Sequence, residues 1–199
     1  MKDAALIVFV RKPELGKVKT RLAATIGDHK TLKIYKQLLA HTKEVTQDFN
    51  GDLYLFCSES LLFDLHWNYE EIRLQEGIDL GQKMKNAFEH CFNKGYKKAI
   101  IIGSDCPGIN YTLLNQASSL LNKSDAVLGP ANDGGYYLLG FRNSIQTDVF
   151  VNMKWSTEHV FNETLLRLQQ KQKTVEILEE LIDVDTYEDL IESGFKVSR

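Results

Sequence analysis

Apolar stretches of strand length alternate along this chain with segments whose apolar residues recur at helical spacing. The strand-like stretches are continuously apolar, which is typical of strands buried on both faces of a parallel sheet. The helical segments each carry one apolar stripe, most clearly from Leu80 to Phe92. This alternation predicts an α/β fold in three layers with a mostly parallel sheet.

The pattern places each element along the chain and suggests one reversal of direction. Two glycines precede Tyr136 and allow a tight turn, so the strand that begins there is expected to run antiparallel and make the sheet mixed. Predicted strands are Ala4–Val10, Leu53–Cys57, Ile72–Leu74, Ala99–Ile102, Ala126–Leu128, Tyr136–Phe141 and Val175–Leu178. Predicted helices are Leu32–Val45, Leu80–Phe92, a segment from Tyr111 that Asn110 caps, Thr157–Gln170, and Tyr187–Ser193 with a capping box of Thr186 and Asp189.

The stretch Ile100–Pro107 ends an apolar strand at an aspartate. Gly103 and Pro107 break the strand and leave Asp105 at its carboxyl end, where open α/β sheets bind their ligands. A carboxylate in that position can hold Mg²⁺ against the phosphates of a nucleotide. The alternative is an aspartate that starts a turn before the next helix.

A basic segment follows the first predicted strand and runs from Arg11 to Arg21, with five basic residues in eleven positions. Pro13 and Gly16 predict a loop rather than a regular element. Lysine ammonium groups and arginine forks in such a loop can bind polyphosphate. The segment is not a Walker A loop, because Val18 stands where that motif has Ser or Thr. The alternative is a solvated basic turn.

The segment Asn132–Tyr137 contains Asp133 followed by Gly134 and Gly135. Paired glycines let backbone approach a ligand or form a tight hairpin, and Asp-Gly alone favours the hairpin. Asp133 is a candidate second acidic group near the metal, and the tyrosine at 136 or 137 is a candidate pocket residue.

The segments after residue 150 contain weaker candidates for site residues. Trp155 is either a core aromatic or a pocket residue, and Ser156 or Thr157 is expected to cap the following helix. The acidic pair of the segment Asp183–Asp185 favours a helix N-terminus, with metal binding as the alternative. His159 is the histidine nearest to a candidate site, and the five histidines form no metal-ligand spacing.

Composition narrows the class of protein. The 199 residues carry a net charge of −3, which gives neither the basic field of a nucleic-acid-binding protein nor a polybasic membrane tail. The three cysteines have no CxxC spacing, which argues against a disulfide framework and a structural zinc site. The first apolar run is too short for a signal peptide or a membrane span. We therefore expect a cytoplasmic protein with one domain over residues 1–199 and no membrane span.

Five ordered motifs resemble the DUF2064 family, whose members are described as glycosyltransferases of the GT-A superfamily, transferase 1 of radical-SAM/selenodomain-associated clusters. The motifs extend over nearly the whole chain and comprise Lys12-Pro-x-x-Gly-x-Val-Lys-Thr-Arg-Leu22, Asp79-Leu-Gly-Gln-Lys-Met84, Gly103-Ser-Asp-Cys-Pro107, Asp133-Gly-Gly-Tyr-Tyr137 and Trp155-Ser-Thr157. The resemblance implies the nucleotide-diphospho-sugar transferase fold, which is GT-A and Rossmann-like.

A weaker resemblance is to the phospholactate guanylyltransferases and the molybdenum-cofactor nucleotidyltransferases, which share a basic loop ending like Lys19-Thr-Arg-Leu22. The chain departs from the molybdenum-cofactor group at Phe9-Val10-Arg11, where that group has a glycine pair. It departs from many glycosyltransferases by having one aspartate at Ser104-Asp105 rather than Asp-x-Asp.

Together the resemblances imply a metal-dependent transferase that uses a nucleotide-activated donor and a small-molecule acceptor. Glycosyl transfer from a nucleotide sugar is the first hypothesis; the others are nucleotidyl transfer from a nucleoside triphosphate to a phosphorylated small molecule, and a non-catalytic nucleotide-binding protein.

Asp105 is predicted to bind Mg²⁺ or Mn²⁺, with Asp133, His159 or Asp185 as a second ligand. Asp105 and Asp133 are the predicted catalytic residues. Predicted nucleotide-binding residues are Lys12, Pro13, Gly16, Lys19, Thr20, Arg21, Gly81 and Ser104. Predicted acceptor-binding residues are Gly134, Gly135, Tyr136, Trp155 and Thr157.

Overall fold

The computed structural model describes residues 3–59 and 67–197, and a seven-stranded sheet lies at its centre. The strands are β1 (Ala4–Val10), β2 (Asp52–Cys57), β3 (Glu71–Leu74), β4 (Lys98–Ile102), β5 (Ala126–Pro130), β6 (Tyr136–Arg142) and β7 (Val175–Ile177). Their order across the sheet is β3-β2-β1-β4-β6-β5-β7. Strand β6 runs antiparallel to both neighbours and the other pairings are parallel, which confirms the predicted mixed sheet.

Helices cover both faces of this sheet. They are α1 (Thr20–Ile26), α2 (Asp28–Gln47), α3 (Leu80–Asn93), α4 (Tyr111–Leu120), α5 (Val160–Gln170) and α6 (Tyr187–Glu192), with a short 3-10 helix at Thr147–Phe150. Asn110 caps α4, and Thr186 and Asp189 form the predicted capping box of α6.

Alternate residues of each central strand enter two separate cores. On one face, Leu6 and Ile100 pack with Leu39 of α2 and Leu114 of α4. On the other face, Ile7, Ile101 and Phe141 pack with Phe88 of α3 and Leu168 of α5. Two cores around one sheet produce the predicted three layers.

Several boundaries differ from the sequence prediction, most clearly at α1, at α2, which begins at Asp28 rather than Leu32, and at α5. The basic segment was expected to remain a loop through Arg21, but α1 begins at Thr20. This seven-residue helix is stabilised by tertiary contacts, because Leu22 is buried against α2 and α6. Helix α5 begins at Val160 rather than Thr157, since residues 157–159 form a turn in which the Thr157 hydroxyl donates a hydrogen bond to Lys154 O, and His159 is the N-cap.

Within residues 3–59 and 67–197, no helix combines the length and the apolar character that crossing a membrane requires.

Candidate active site

A cleft of about 570 Å³ opens at the carboxyl ends of β1 and β4, beside the start of β6. Because β1, β2 and β4 are parallel neighbours, the segments that follow them meet at the same edge of the sheet. Predicted site residues that line this cleft are Lys19, Thr20, Arg21, Ser104, Asp105, Asp133 and Tyr136. Asp185, a predicted candidate for the second metal ligand, also lines it, as do residues outside that prediction, among them Arg11, Tyr35, Gln75, Leu80, Ser156 and Asp183.

A buried lysine lies at the centre of the charged part of the cleft. The Nζ atom of Lys19 is 2.6 Å from Asp105 Oδ2 and 3.0 Å from Asp185 Oδ1, and its side chain is only 8% exposed. Burial alone would lower the pKa of Lys19, but the nearby carboxylates of Asp105, Asp183 and Asp185 outweigh burial and raise it. Lys19 is therefore an ammonium ion, and its charge in turn holds the pKa of Asp105 below its usual range against the effect of burial.

Asp183 is the residue of this cluster whose charge is least compensated. Its Oδ1 atom is buried, and it has no hydrogen-bond partner among the residues that the structure describes. Burial first, and then the negative charge of Asp105, raise the pKa of Asp183 well above its usual range. A buried carboxylate oxygen without a partner costs free energy, which a cation in the cleft would recover.

The backbone that follows β1 is fixed from the opposite side by Tyr35 of α2. The Tyr35 hydroxyl accepts a hydrogen bond from Arg11 N at 3.1 Å and donates one to Arg11 O at 3.0 Å. The same hydroxyl lies 3.5 Å from Ser104 Oγ, beside Asp105. Tyr35 thus connects the segment that follows β1 to the segment that follows β4 and fixes their relative positions at the cleft.

The basic segment divides into residues inside the cleft and residues outside it. Lys12 and Lys17 both pair with Glu14, at 3.5 and 2.6 Å, so their charges are compensated locally. Lys12 is absent from the cleft lining, as are Pro13 and Gly16. Arg21 lies at the mouth with its side chain 73% exposed and its Nη1 atom 3.4 Å from Asp185 Oδ2.

The Asp133 turn joins β5 to β6 as a hairpin. Asp133 Oδ1 accepts a hydrogen bond from Gly135 N at 2.8 Å, which fixes the carboxylate at the cleft. Gly134 has φ 83°, and an added Cβ there would collide with the backbone of Glu158. Gly134 and Gly135 do not line the cleft themselves. The glycine at 134 serves the turn and its close packing against the segment before α5.

Trp155 packs under the start of α3 instead of facing the cleft. A Cβ on Gly81 would collide with the Trp155 indole, so this glycine makes room for the tryptophan. Thr157 donates a hydrogen bond to Lys154 O at 3.0 Å and does not cap α5. None of these three predicted site residues lines the cleft, whereas the neighbouring Leu80 and Ser156 do.

The described residues offer carboxylate oxygens suited to a hard cation but no complete metal cage, since they contain no group of three or more His, Cys, Asp or Glu side chains placed to hold one ion. Magnesium is commonly held by one or two carboxylates together with the phosphates of a nucleotide. Asp105 and Asp183 fit that partial donor set, and the unpartnered oxygen of Asp183 supports the fit. His159 is outside the cleft lining, where its Nε2 lies 3.7 Å from Glu158 Oε1.

Three residues that contribute to the cleft were not predicted as site residues. Arg11 belongs to the basic segment that was singled out, but it was not assigned a role. Asp183 was interpreted as a residue before a helix N-terminus, with metal binding as the alternative, whereas the N-cap of α6 is Thr186. No local signal marks Tyr35, because it occupies an ordinary apolar-stripe position of α2 and only the tertiary fold brings its hydroxyl to Arg11.

Solved structures of other proteins share this fold. A protein from Desulfovibrio desulfuricans G20, named as a candidate nucleotide-diphospho-sugar transferase, is 32% identical to this chain with a TM-score of 0.90. The match covers 96% of this chain and 85% of that one. This similarity confirms the predicted nucleotide-diphospho-sugar transferase fold, and the predicted transferase class agrees with the name of that relative.

The sequence also identifies the family. The family profile of DUF2064, described as an uncharacterized protein conserved in bacteria, matches residues 39–157. The chain belongs to this family, as its motifs predicted. No protein of curated function matches the sequence.

Two more distant structures share the fold alone. The 4-diphosphocytidyl-2C-methyl-D-erythritol synthase of Anaerococcus prevotii DSM 20548 is 11% identical with a TM-score of 0.60, covering 97% of each chain. Rv0371C of Mycobacterium tuberculosis H37Rv, solved in complex with manganese, is 12% identical with a TM-score of 0.58, covering 96% of this chain and 97% of that one.

Proposed function

We propose that this protein is a metal-dependent transferase, acting as a single domain, that moves a glycosyl group from a nucleotide sugar to a small-molecule acceptor. The observation that carries the proposal is the cleft at the carboxyl edge of the sheet, where Asp105 and the unpartnered Asp183 lie beside the basic segment that follows β1. The name of the Desulfovibrio relative, a candidate nucleotide-diphospho-sugar transferase, supports the same class of donor.

The donor's diphosphate would lie between the basic segment and the end of β4. Arg11 and Arg21 line this part of the cleft, and a guanidinium group can donate two parallel hydrogen bonds to a phosphate. Lys19 adds a buried ammonium ion at the same place. Asp105 and Asp183 would hold the divalent cation, which when bound neutralises the charge on the departing nucleoside diphosphate.

The acceptor would lie on the opposite side of the cleft, beside the Asp133 turn. Asp133 has one oxygen committed to the turn through Gly135 N and presents its carboxylate at the cleft, where it can accept a hydrogen bond from an acceptor hydroxyl. Tyr136 adds an aromatic wall beside Met84, whose Sδ lies 3.8 Å from the Tyr136 hydroxyl. These residues would orient the acceptor's nucleophilic oxygen toward the donor.

The distribution of charge favours glycosyl transfer over nucleotidyl transfer to a phosphorylated acceptor. Among the described cleft residues, the cations are Arg11, Lys19 and Arg21, all from the basic segment. Lys19 and Arg21 already face carboxylates. On the acceptor side, Asp133 lines the cleft and forms no ion pair among the described residues, so its carboxylate would repel a phosphorylated acceptor and suits a neutral or amino-bearing one.

Thermal denaturation with a panel of nucleotides and Mg²⁺ or Mn²⁺ tests the proposal. A nucleotide sugar at 100 times its dissociation constant should stabilise the protein by about 2.7 kcal/mol. Stronger stabilisation by nucleoside triphosphates than by nucleotide sugars would favour nucleotidyl transfer instead. Stabilisation without turnover of the bound nucleotide sugar, with a range of sugar and amino-sugar acceptors, would favour a nucleotide-binding protein.

A further inference from the structure

The ammonium group of Lys19 occupies the side of Asp105 where a cation would bind. Its Nζ atom lies 2.6 Å from Asp105 Oδ2 and 3.0 Å from Asp185 Oδ1. The neighbouring basic side chains point outward, since Lys17 is 59% exposed and Arg21 is 73% exposed. Lys19 is thus the buried cation of the basic segment, and it already compensates the carboxylates on which a metal would depend.

The backbone holds Lys19 in this inward position. Its φ and ψ angles are 46° and 53°, in the left-handed region that a residue with a Cβ adopts only at a cost. The residue stands where the basic segment joins α1, between buried Val18 and buried Leu22. Because Val18 and Leu22 are anchored in the core on either side, residue 19 is held in this conformation with its side chain in the cleft.

An ammonium ion and a divalent cation compete for the same carboxylate oxygen. Both are attracted by Asp105, Asp183 and Asp185, and two cations placed at one oxygen would repel each other. A metal ion entering the nucleotide-free cleft must therefore displace the ammonium group of Lys19 and leave it buried without its closest partner. That displacement is costly for a buried charge.

We propose that Lys19 is a resident counter-ion that closes Asp105 to divalent cations until the phosphates of the donor attract its ammonium group away. The identity of the donor rests on the function proposed above, whereas the competition between Lys19 and the metal does not. Phosphate oxygens bound beside Arg11 and Arg21 would give Lys19 new acceptors in the same cleft. Metal and nucleotide would then bind cooperatively, each raising the affinity of the other by the same factor.

Binding of Mn²⁺ to the nucleotide-free protein, measured by calorimetry and by the electron paramagnetic resonance signal of free Mn²⁺, tests this positioning role. Lys19→Met removes the competing charge and should raise the affinity for Mn²⁺ at least about tenfold. Lys19→Arg keeps a cation and should show no such gain. Lys17→Met is the matched control, because Lys17 is exposed and pairs with Glu14. Equal or weaker binding of Mn²⁺ by Lys19→Met than by wild type would overturn the proposal.

Circular dichroism and thermal denaturation show whether each variant folds. Without its ammonium group the Lys19→Met protein retains crowded carboxylates, so Mn²⁺ should raise its melting temperature more than that of wild type. If Lys19→Met fails to fold, Lys19→Gln provides the same test with a polar side chain. A Lys19→Gln protein that gains neither affinity nor melting temperature with Mn²⁺ would contradict the proposal.

A second set of titrations separates this inference from the proposed function. Saturating UDP, GDP, CDP or ADP should raise the Mn²⁺ affinity of wild type by a larger factor than that of Lys19→Met. If none of these diphosphates binds, but Lys19→Met still gains Mn²⁺ affinity, the proposed donor class is wrong and the competition at Asp105 stands. If a diphosphate binds and the factor is the same in both proteins, the role of Lys19 is refuted and the donor class stands.

Discussion

Two clusters of charged side chains lie near the sheet, and they differ in how completely their charges are compensated. In the cleft, the single ammonium group of Lys19 faces Asp105 and Asp185, and Asp183 lies close enough to help raise the pKa of Lys19. At the sheet edge, one carboxylate of Glu71 on β3 contacts Lys94 at 2.6 Å, Arg73 at 2.7 Å and His90 at 3.1 Å. We call these the cleft cluster and the edge cluster.

In the edge cluster the carboxylate of Glu71 is fully compensated by basic partners, whereas in the cleft cluster the carboxylate of Asp183 is not. Burial opposes ionisation of Glu71, but hydrogen bonds from Lys94, Arg73 and His90 outweigh it and lower its pKa to about 2. Asp183 responds in the opposite direction, because burial and the charge of Asp105 raise its pKa. A cluster of charged side chains therefore does not by itself identify a binding site. An excess of buried negative charge inside a cleft indicates a cation-binding site, because a bound cation would compensate that charge.

The largest effect is expected from Asp105→Asn, which removes the closest partner of a buried lysine. Breaking a buried ion pair on one side costs about 3–5 kcal/mol, and Asp185 keeps part of the attraction, so we expect a loss of about 3 kcal/mol in the free energy of unfolding. Metal-dependent nucleotide binding should fall at least about 100-fold. Urea denaturation and calorimetry measure the two effects.

Glu71→Gln is the matched control for that variant, because it also replaces a paired carboxylate with an amide. It should lower the free energy of unfolding by about 1 kcal/mol or less, since its partners Arg73 and Lys94 remain partly exposed to water. Nucleotide and Mn²⁺ binding should be unchanged. Equal losses of unfolding free energy and of ligand binding in the two variants would show that the two clusters do not differ in stability or in function.

The second prediction concerns Asp183→Asn, which removes the uncompensated carboxylate. Replacing it should relieve repulsion within the cleft cluster and leave the free energy of unfolding at pH 7 unchanged or higher by about 1 kcal/mol. Affinity for Mn²⁺ in the presence of nucleoside diphosphate should fall about tenfold or more, because one oxygen donor is lost. A stable variant with normal Mn²⁺ affinity would exclude Asp183 from the metal site.

The fold could be predicted from the sequence because its signals are local. Continuous apolar strands and the stripe of α3 identify the elements, and the glycines before Tyr136 indicate the antiparallel strand β6. The short helix α1 could not be predicted, because its stability comes from Leu22 contacting residues distant in sequence. Packing of this kind leaves no periodic pattern in a seven-residue segment.

The candidate site is less accessible to sequence reasoning. Asp105 and Asp133 follow strand ends, so pattern and topology place them together. Gly81 and Trp155 belong to motifs that suggest binding, but they pack against each other beside the cleft, which a motif cannot reveal. The partners of Lys19 lie 86 and 166 residues away in sequence, so only the tertiary structure shows that its charge is already compensated.

The third prediction uses acid to probe the edge cluster. The pKa of Glu71 is lowered from 4.5 to about 2 in the folded protein, so its contribution to stability is present above pH 4.5 and is lost as the pH falls toward 2. Glu71→Gln should therefore flatten the loss of unfolding free energy between pH 4.5 and 2. Urea denaturation of both proteins across this range measures the difference. Parallel curves would show that the ion pairs of Glu71 do not stabilise the fold.

The smallest effect is expected from the exposed arginines of the two clusters. Arg21→Ala removes a guanidinium at the mouth of the cleft, where an exposed charge contributes about 0.5–1 kcal/mol, so affinity for a nucleoside diphosphate should fall about two- to fivefold. Affinity for the corresponding nucleoside should not change, because it carries no phosphate. Arg73→Ala removes an arginine of the edge cluster and should leave both affinities unchanged. Calorimetric titration of the two variants with UDP and uridine, or the base that binds best, measures the contrast. Equal weakening of nucleotide and nucleoside by Arg21→Ala would show that this arginine contacts the nucleoside, not the phosphates.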